Sequence, residues 1–265
     1  MLFRLSTPIL VLLVVAIVAG TTLVGIAIGR QLQAHRDEVS EPIGAVQAAL
    51  LGFVGLLLAF GLTMAVGRYE SRRAAIVTEA NAIGTAFLRA QIIPEPQRSD
   101  SLELLRSYAA QRLKLASQRV DSHVFNESIE SSNTTERDLW KLGGEALETS
   151  PDGSAVRLYV DSLNTMFDAS SSREAVFRDR VPAPVVFLQI GGAALAIGML
   201  GLYLATLGRR VHTALLAAVM VSLIVLVALD LDRPQQGFVP VPTTPLRSVV
   251  QDLQLQPAGE APRGP

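Results

Sequence analysis

Catalysis and metal binding begin with histidine, cysteine, carboxylates and activated hydroxyls at close spacing. Here cysteine is absent, which removes disulfides and thiolate metal sites. His35, His123 and His212 are the three histidines and lie far apart, and no H-x-x-x-H or H-E-x-x-H spacing occurs. No G-x-S-x-G elbow or Walker loop is present either. The reading is of a non-enzyme with no catalytic residue, no metal site and no cofactor. The remaining candidates are the charges in "VGRYESRRAAIVTEANAIGTAFLR", residues 66–89. Arg68, Arg72 and Arg73 resemble an anion patch, but arginines beside an apolar segment more often serve topology and lipid headgroups. Glu70 and Arg73 stand at i,i+3, and Arg72 and Glu79 share a face two turns apart. Both pairings read as ion pairs, in water or between helices, rather than as catalysts. Asn81 reads as a polar contact within a bundle, because Ala80, Ala82 and Gly84 around it admit a close neighbour.

That stretch follows directly on an apolar run, with no proline between Val66 and Arg89. A helix leaving a membrane and continuing into water has this pattern. The whole chain fits such a setting: 49% of its residues are hydrophobic, only 5% are aromatic, and the net charge of −1 gives no nucleic-acid signal. Four charge-free apolar segments cover 8–29, 43–66, 185–207 and 211–229, the last including Val211 and His212 at its start. Each approaches or exceeds the roughly 20 residues that a spanning helix needs. The first is too long for a typical signal-peptide core and no clear A-x-A cleavage site follows it. Arg4, Arg68, Arg72, Arg73, Arg178, Arg180 and Arg233 flank one side of these segments, and Arg30, Arg36, Arg209 and Arg210 the other. Seven arginines against four predict that both termini and residues 67–184 are cytoplasmic.

Residues 67–184 read as a helical domain with four candidate stretches. Ile76, Ala80, Ile83, Phe87 and Ala90 recur at steps of four and three, continuous with the second apolar helix and ended by Pro94 and Pro96. Leu102, Leu105, Ala109, Leu113, Ala116 and Val120 form a second stripe, with Asp100 and Glu103 as its expected capping box. A third, short helix is expected around Leu139 and Leu142, weakened by Gly143 and Gly144. Val156, Tyr159, Val160, Leu163, Met166 and Phe167 share the face of a fourth, expected to run past the serines at 170–172. Such stripes signify core packing. Residues 230–256 then form a C-terminal segment, and the proline-rich end, 257–265, is expected to be disordered.

Several segments are similar to bestrophins. "GFVGLLLAFGLTMAVGRYESRR" resembles their second membrane helix, through Phe60, Arg68, Tyr69, Glu70 and Arg72 or Arg73. "VPAPVVFLQIGG" resembles the entry to the third, through Pro184, Val186, Phe187 and Gln189, and "DLDRPQQGFVPVPTTPL" the turn after the fourth, through Pro234 and Gly237. "EANAIGTAFLRAQIIP" and "NTMFD" resemble a bacterial bestrophin-like family. The resemblance implies an all-α membrane protein with four transmembrane helices and a helical cytoplasmic domain. It further implies a homopentameric channel for small monovalent ions in a bacterial inner membrane, its partners being the bilayer, its own copies and the ions. The second helix would line the pore, with Gly52, Leu56, Phe60 and Met64 at the neck. Arg68, Arg72, Glu79 and Asn81 would extend the wall or join subunits. Gly52 departs from the bulky apolar residue of the family pattern, and the acidic calcium-binding cluster is missing, with only Asp230 and Asp232 nearby. The alternative to a channel is a non-conducting scaffold whose helical domain docks a partner.

Overall fold

The computed structural model describes residues 7–118, 123–209, 212–233, 235 and 237–256. They form helices α1 (Thr7–Gln31), α2 (Arg36–Ala90), α3 (Gln97–Ala116), α4 (His123–Thr149), α5 (Ser154–Arg178), α6 (Ala183–Thr206), α7 (His212–Leu231) and α8 (Thr244–Leu255), and no strand occurs among the described residues. Two compact units result, one from the chain up to Tyr69 with Arg180–Pro240, the other from Glu70–Asp179 with the chain from Val241.

In the first unit, α1, α2, α6 and α7 are long and apolar enough to cross a membrane. Leu10 and Val14 of α1, Val54 and Leu58 of α2, Val186, Ile190, Ala193 and Ala196 of α6, and Val225 and Leu229 of α7 form its core. In lipid, packing replaces hydrophobic exclusion as the force joining helices, so small residues at the seam matter most. Gly25 and Gly29 of α1 provide the seam with α6: a methyl group at either would collide with the backbone carbonyl of Gly198 or Leu202. A single 3₁₀ turn, Leu32–His35, joins α1 to α2. The second apolar helix therefore starts at Arg36, before the expected 43, and takes Pro42 into its interior. That proline removes one backbone hydrogen bond, which the 55-residue helix absorbs.

In the second unit, the stripe of Ile76, Ala80, Ile83, Phe87 and Ala90 is buried as its spacing predicts. The second stripe holds at Leu102, Leu105, Ala109 and Ala116, while Tyr108, Arg112 and Leu115 are buried beside them and Leu113 is only half-buried. Val120 lies outside the described residues. The capping box of Asp100 and Glu103 does not form, because α3 already begins at Gln97. Glu95 serves instead: its carboxylate accepts the Ser99 N–H at 3.2 Å and pairs with Arg98 at 2.7 Å. The short third helix is in fact α4, 27 residues long. Gly143 does not weaken it, because it lies against Val160 and Leu163 of α5, where a larger side chain would crowd them. α5 passes through Ser170–Ser172 to Arg178 as expected.

Helix α8 is the element that sequence reading missed. Leu246 and Leu253 bury its inner edge. Arg106 of α3 donates to the carbonyls of Leu253 at 2.9 Å and Gln256 at 2.7 Å, satisfying acceptors that a helix end leaves unpaired. The same guanidinium lies 5.1 Å from the Phe87 ring. The tail from Pro257 lies outside the described residues.

Candidate functional site

Helix α2 carries the residues singled out in sequence, and its two faces differ sharply. In the first unit, Val54, Leu58, Gly61 and Ala65 face inward. Gly61 accommodates the buried Gln189 amide of α6, which leaves no room for a methyl group. Opposite them Gly52, Leu56, Phe60 and Met64 are all exposed, Leu56 at 57% and Phe60 at 62%. Four residues advance an ideal helix about 40° beyond a full turn, so this series drifts across the open face. Leu56 stands nearest its centre, Gly52 and Phe60 to either side, and Met64 at its edge.

In the second unit the open face of α2 changes chemistry. Ala74, Thr78, Asn81 and Thr85 follow one another at three- and four-residue steps, all exposed and none charged. Thr85 returns its hydroxyl to the Asn81 carbonyl at 2.9 Å. Glu70 and Arg73 are the exposed charges of this stretch and lie 3.8 Å apart, as their spacing predicts.

Asn81 thus belongs to the open face, but Arg72 and Glu79 do not. Both are completely buried within their own chain, which corrects their assignment to a pore wall or to contacts between subunits. The cause is helical phase: they share the inward side with Ile76 and Ile83. Arg72 donates to the Asp179 carbonyl at 2.8 Å. Arg68 is half-buried.

Glu79 sits at the centre of an ionic cluster drawn from α2, α3 and α5. Its Oε1 lies 2.5 Å from Arg112 Nε and its Oε2 2.7 Å from Arg173 Nε. Arg112 also reaches Glu174 at 2.8 Å and the Ser170 carbonyl at 3.4 Å. Burial works against both guanidinium charges. At Arg112 the fields of Glu79, Tyr108 and Glu174 outweigh it and push the pKa up. At Arg173 burial prevails over the attraction of Glu79, Arg112 repels as well, and the pKa falls to about 10. Tyr108 is pushed up chiefly by burial; its hydroxyl donates to Glu136 Oε1 at 2.7 Å. The cluster holds three helices together and offers no reacting group an opening.

No group of carboxylates or histidines among the described residues has metal-site geometry. Asp230 accepts the N–H groups of Phe238 at 2.8 Å and Val239 at 3.1 Å, and Asp232 that of Val181 at 3.1 Å. Both carboxylates are thereby used to hold backbone. Pro234, matched in sequence to the family turn, lies outside the described residues, and Gly237 packs against the Asp230 carboxylate.

A family model for the Bestrophin-like domain matches residues 11–246. The chain belongs to the Bestrophin-like family. No curated protein sequence matches it. Among solved structures, a variant of a bacterial bestrophin homologue from Klebsiella pneumoniae superposes with a TM-score of 0.67 at 13% identity, over 89% of this chain and 97% of that one. A second structure of the Klebsiella pneumoniae homologue gives 0.65 at 13% identity, over 89% and 96%. At this identity the likeness is one of fold: an all-α bestrophin architecture with four helices suited to crossing a membrane.

Proposed function

We propose that several copies of this bestrophin-like chain assemble around a common axis, with the open face of α2 lining an ion pathway. The observation carrying this reading is the two-part character of that face. Leu56 and Phe60 expose more than half their surface within an apolar segment, and uncharged Ala74, Thr78, Asn81 and Thr85 follow in the second unit. A ring of Leu56 and Phe60 side chains would form an apolar neck, opposing ions because it holds water poorly. The hydroxyl and amide face would line a wetted passage beyond. In this reading the assembly is a homopentamer, a closed cyclic arrangement that gives each copy the same place around the pore. It conducts small monovalent ions across a bacterial inner membrane. Residues 67–184, both termini and the 230–256 segment are on the cytoplasmic side, as the arginine distribution supports.

The test joins flux into liposomes containing purified protein with a mass measurement in mild detergent. Five copies with ion flux that rises in Phe60→Ala and Leu56→Ala support the neck. A monomer or dimer that passes no ions makes the chain a scaffold instead. Flux unchanged in both variants, with about 2–5 kcal/mol of stability lost, removes Leu56 and Phe60 from the pathway and makes them packing residues.

A further inference from the structure

We infer that the cleft between α4 and α5 beside Trp140 binds an organic ammonium ion. Its volume is about 640 Å³, within the range of small-molecule sites. Glu130, Asn133, Glu136, Arg137 and Trp140 line it from one face of α4, and Asn164 and Phe167 from α5. Trp140 is the chain's only tryptophan and is 49% exposed, outside the segments suited to lipid. Its ring meets that of Phe167 edge-on, with centroids 6.3 Å apart and planes at 60°, and both residues line the cleft. An indole face is the best aromatic partner for a cation.

The charges of the cleft favour a cation as well. Glu136 Oε1 accepts hydroxyl hydrogen bonds from Tyr108 at 2.7 Å and Ser170 at 2.9 Å. Two neutral donors from other helices fix the carboxylate in place and bring no positive charge of their own. Arg137 is turned along its own helix: Nε donates to the Asn133 carbonyl at 3.3 Å and Nη2 to Thr134 Oγ1 at 3.0 Å. Two carboxylates against one guanidinium give the cleft a net negative charge. A metal ion would ask for several convergent ligands, and no group of three or more carboxylates or histidines that could hold one exists among the described residues. An ammonium bearing methyl or larger carbon groups uses both the aromatic wall and the fixed carboxylate.

Tryptophan emission of the full chain in detergent reads this site directly. Tetramethylammonium chloride is titrated against sodium chloride at equal ionic strength, and choline against its neutral isostere 3,3-dimethyl-1-butanol. A saturable emission change is expected with both ammonium ions and with neither control. Glu136→Gln keeps an acceptor oxygen for Tyr108 and Ser170 but removes the charge, so it should weaken binding several-fold without lowering Tm. Glu130→Gln, at the exposed rim, should weaken it less. An equal response to the neutral alcohol, a response to sodium chloride alone, or no change at all would overturn the assignment. So would a smaller assembly in Trp140→Phe by mass, since that result makes the cleft a contact between copies.

Discussion

Replacing Glu79 by glutamine tests whether the buried ionic cluster holds the second unit together. The substitution keeps the shape of the side chain but removes the carboxylate charge shared by Arg112 Nε and Arg173 Nε, 2.5 and 2.7 Å away. All three side chains are at most 4% exposed, so water cannot compensate. Glutamine also presents an NH₂ donor where two guanidinium donors converge. Breaking a buried pair in this way costs about 3–5 kcal/mol. At roughly 2–4 °C per kcal/mol for a chain of this size, Tm should fall by about 6–20 °C. Trp140 lies in the same unit, so its emission during heating reports this transition. The two arginines should differ on rescue. Arg112 keeps Glu174 at 2.8 Å, whereas Glu79 is the carboxylate paired with Arg173, whose pKa burial already lowers to about 10. In the Glu79→Gln background, Arg173→Met should therefore recover more stability than Arg112→Met. A change of less than about 0.5 kcal/mol in Glu79→Gln, the range of ordinary surface substitutions, would refute the account.

Gly25→Leu should separate α1 from α6, because its side chain meets the Gly198 carbonyl; overpacking of this kind costs about 1–3 kcal/mol or more, read as loss of folded protein in detergent. Arg106→Ala should free α8 by removing its bonds to Leu253 and Gln256, and limited proteolysis should then cut the C-terminal segment first. Ser131→Cys places a single thiol on an exposed position in a chain without native cysteine; labelling by an impermeant reagent is expected only after cells are opened.

Apolar length and three-four spacing made much of this fold legible before any coordinates. Both signals report which side of one helix avoids water: Ile76 through Ala90 needed nothing else, and Val156, Tyr159, Leu163 and Met166 are buried as expected while Val160 and Phe167 of the same stripe are half-buried. Long-range partners were less legible. The capping site moved to Glu95 because helix starts depend on local geometry around Pro94 and Pro96. Gly143 signalled weakness by propensity but serves contact with α5, a property of the neighbour and not of α4 itself. Helix α8 escaped because prolines dominate its surroundings, although Pro245 occupies a first-turn position that tolerates proline.

The candidate site shows the same division. Charge and spacing put Arg72 and Glu79 together, yet phase turned both inward, and Arg112 and Arg173 came from two other helices to meet Glu79. A buried arginine on α3 has no local signature, since its neighbours Leu105 and Ala109 form an ordinary apolar stripe. The open face of α2 follows from what this inward side uses. Once Glu79, Ile76 and Ile83 are committed to the interior of the second unit, the opposite side is left with small, uncharged residues from Ala74 to Thr85. The side chains of Ala74, Thr78, Asn81 and Thr85 are exposed within their own chain. Substitution at Thr78 or Asn81 should therefore leave the stability of the unit within about 0.5 kcal/mol, so that a change in ion flux in either variant would support the proposed pathway and not a loss of folding.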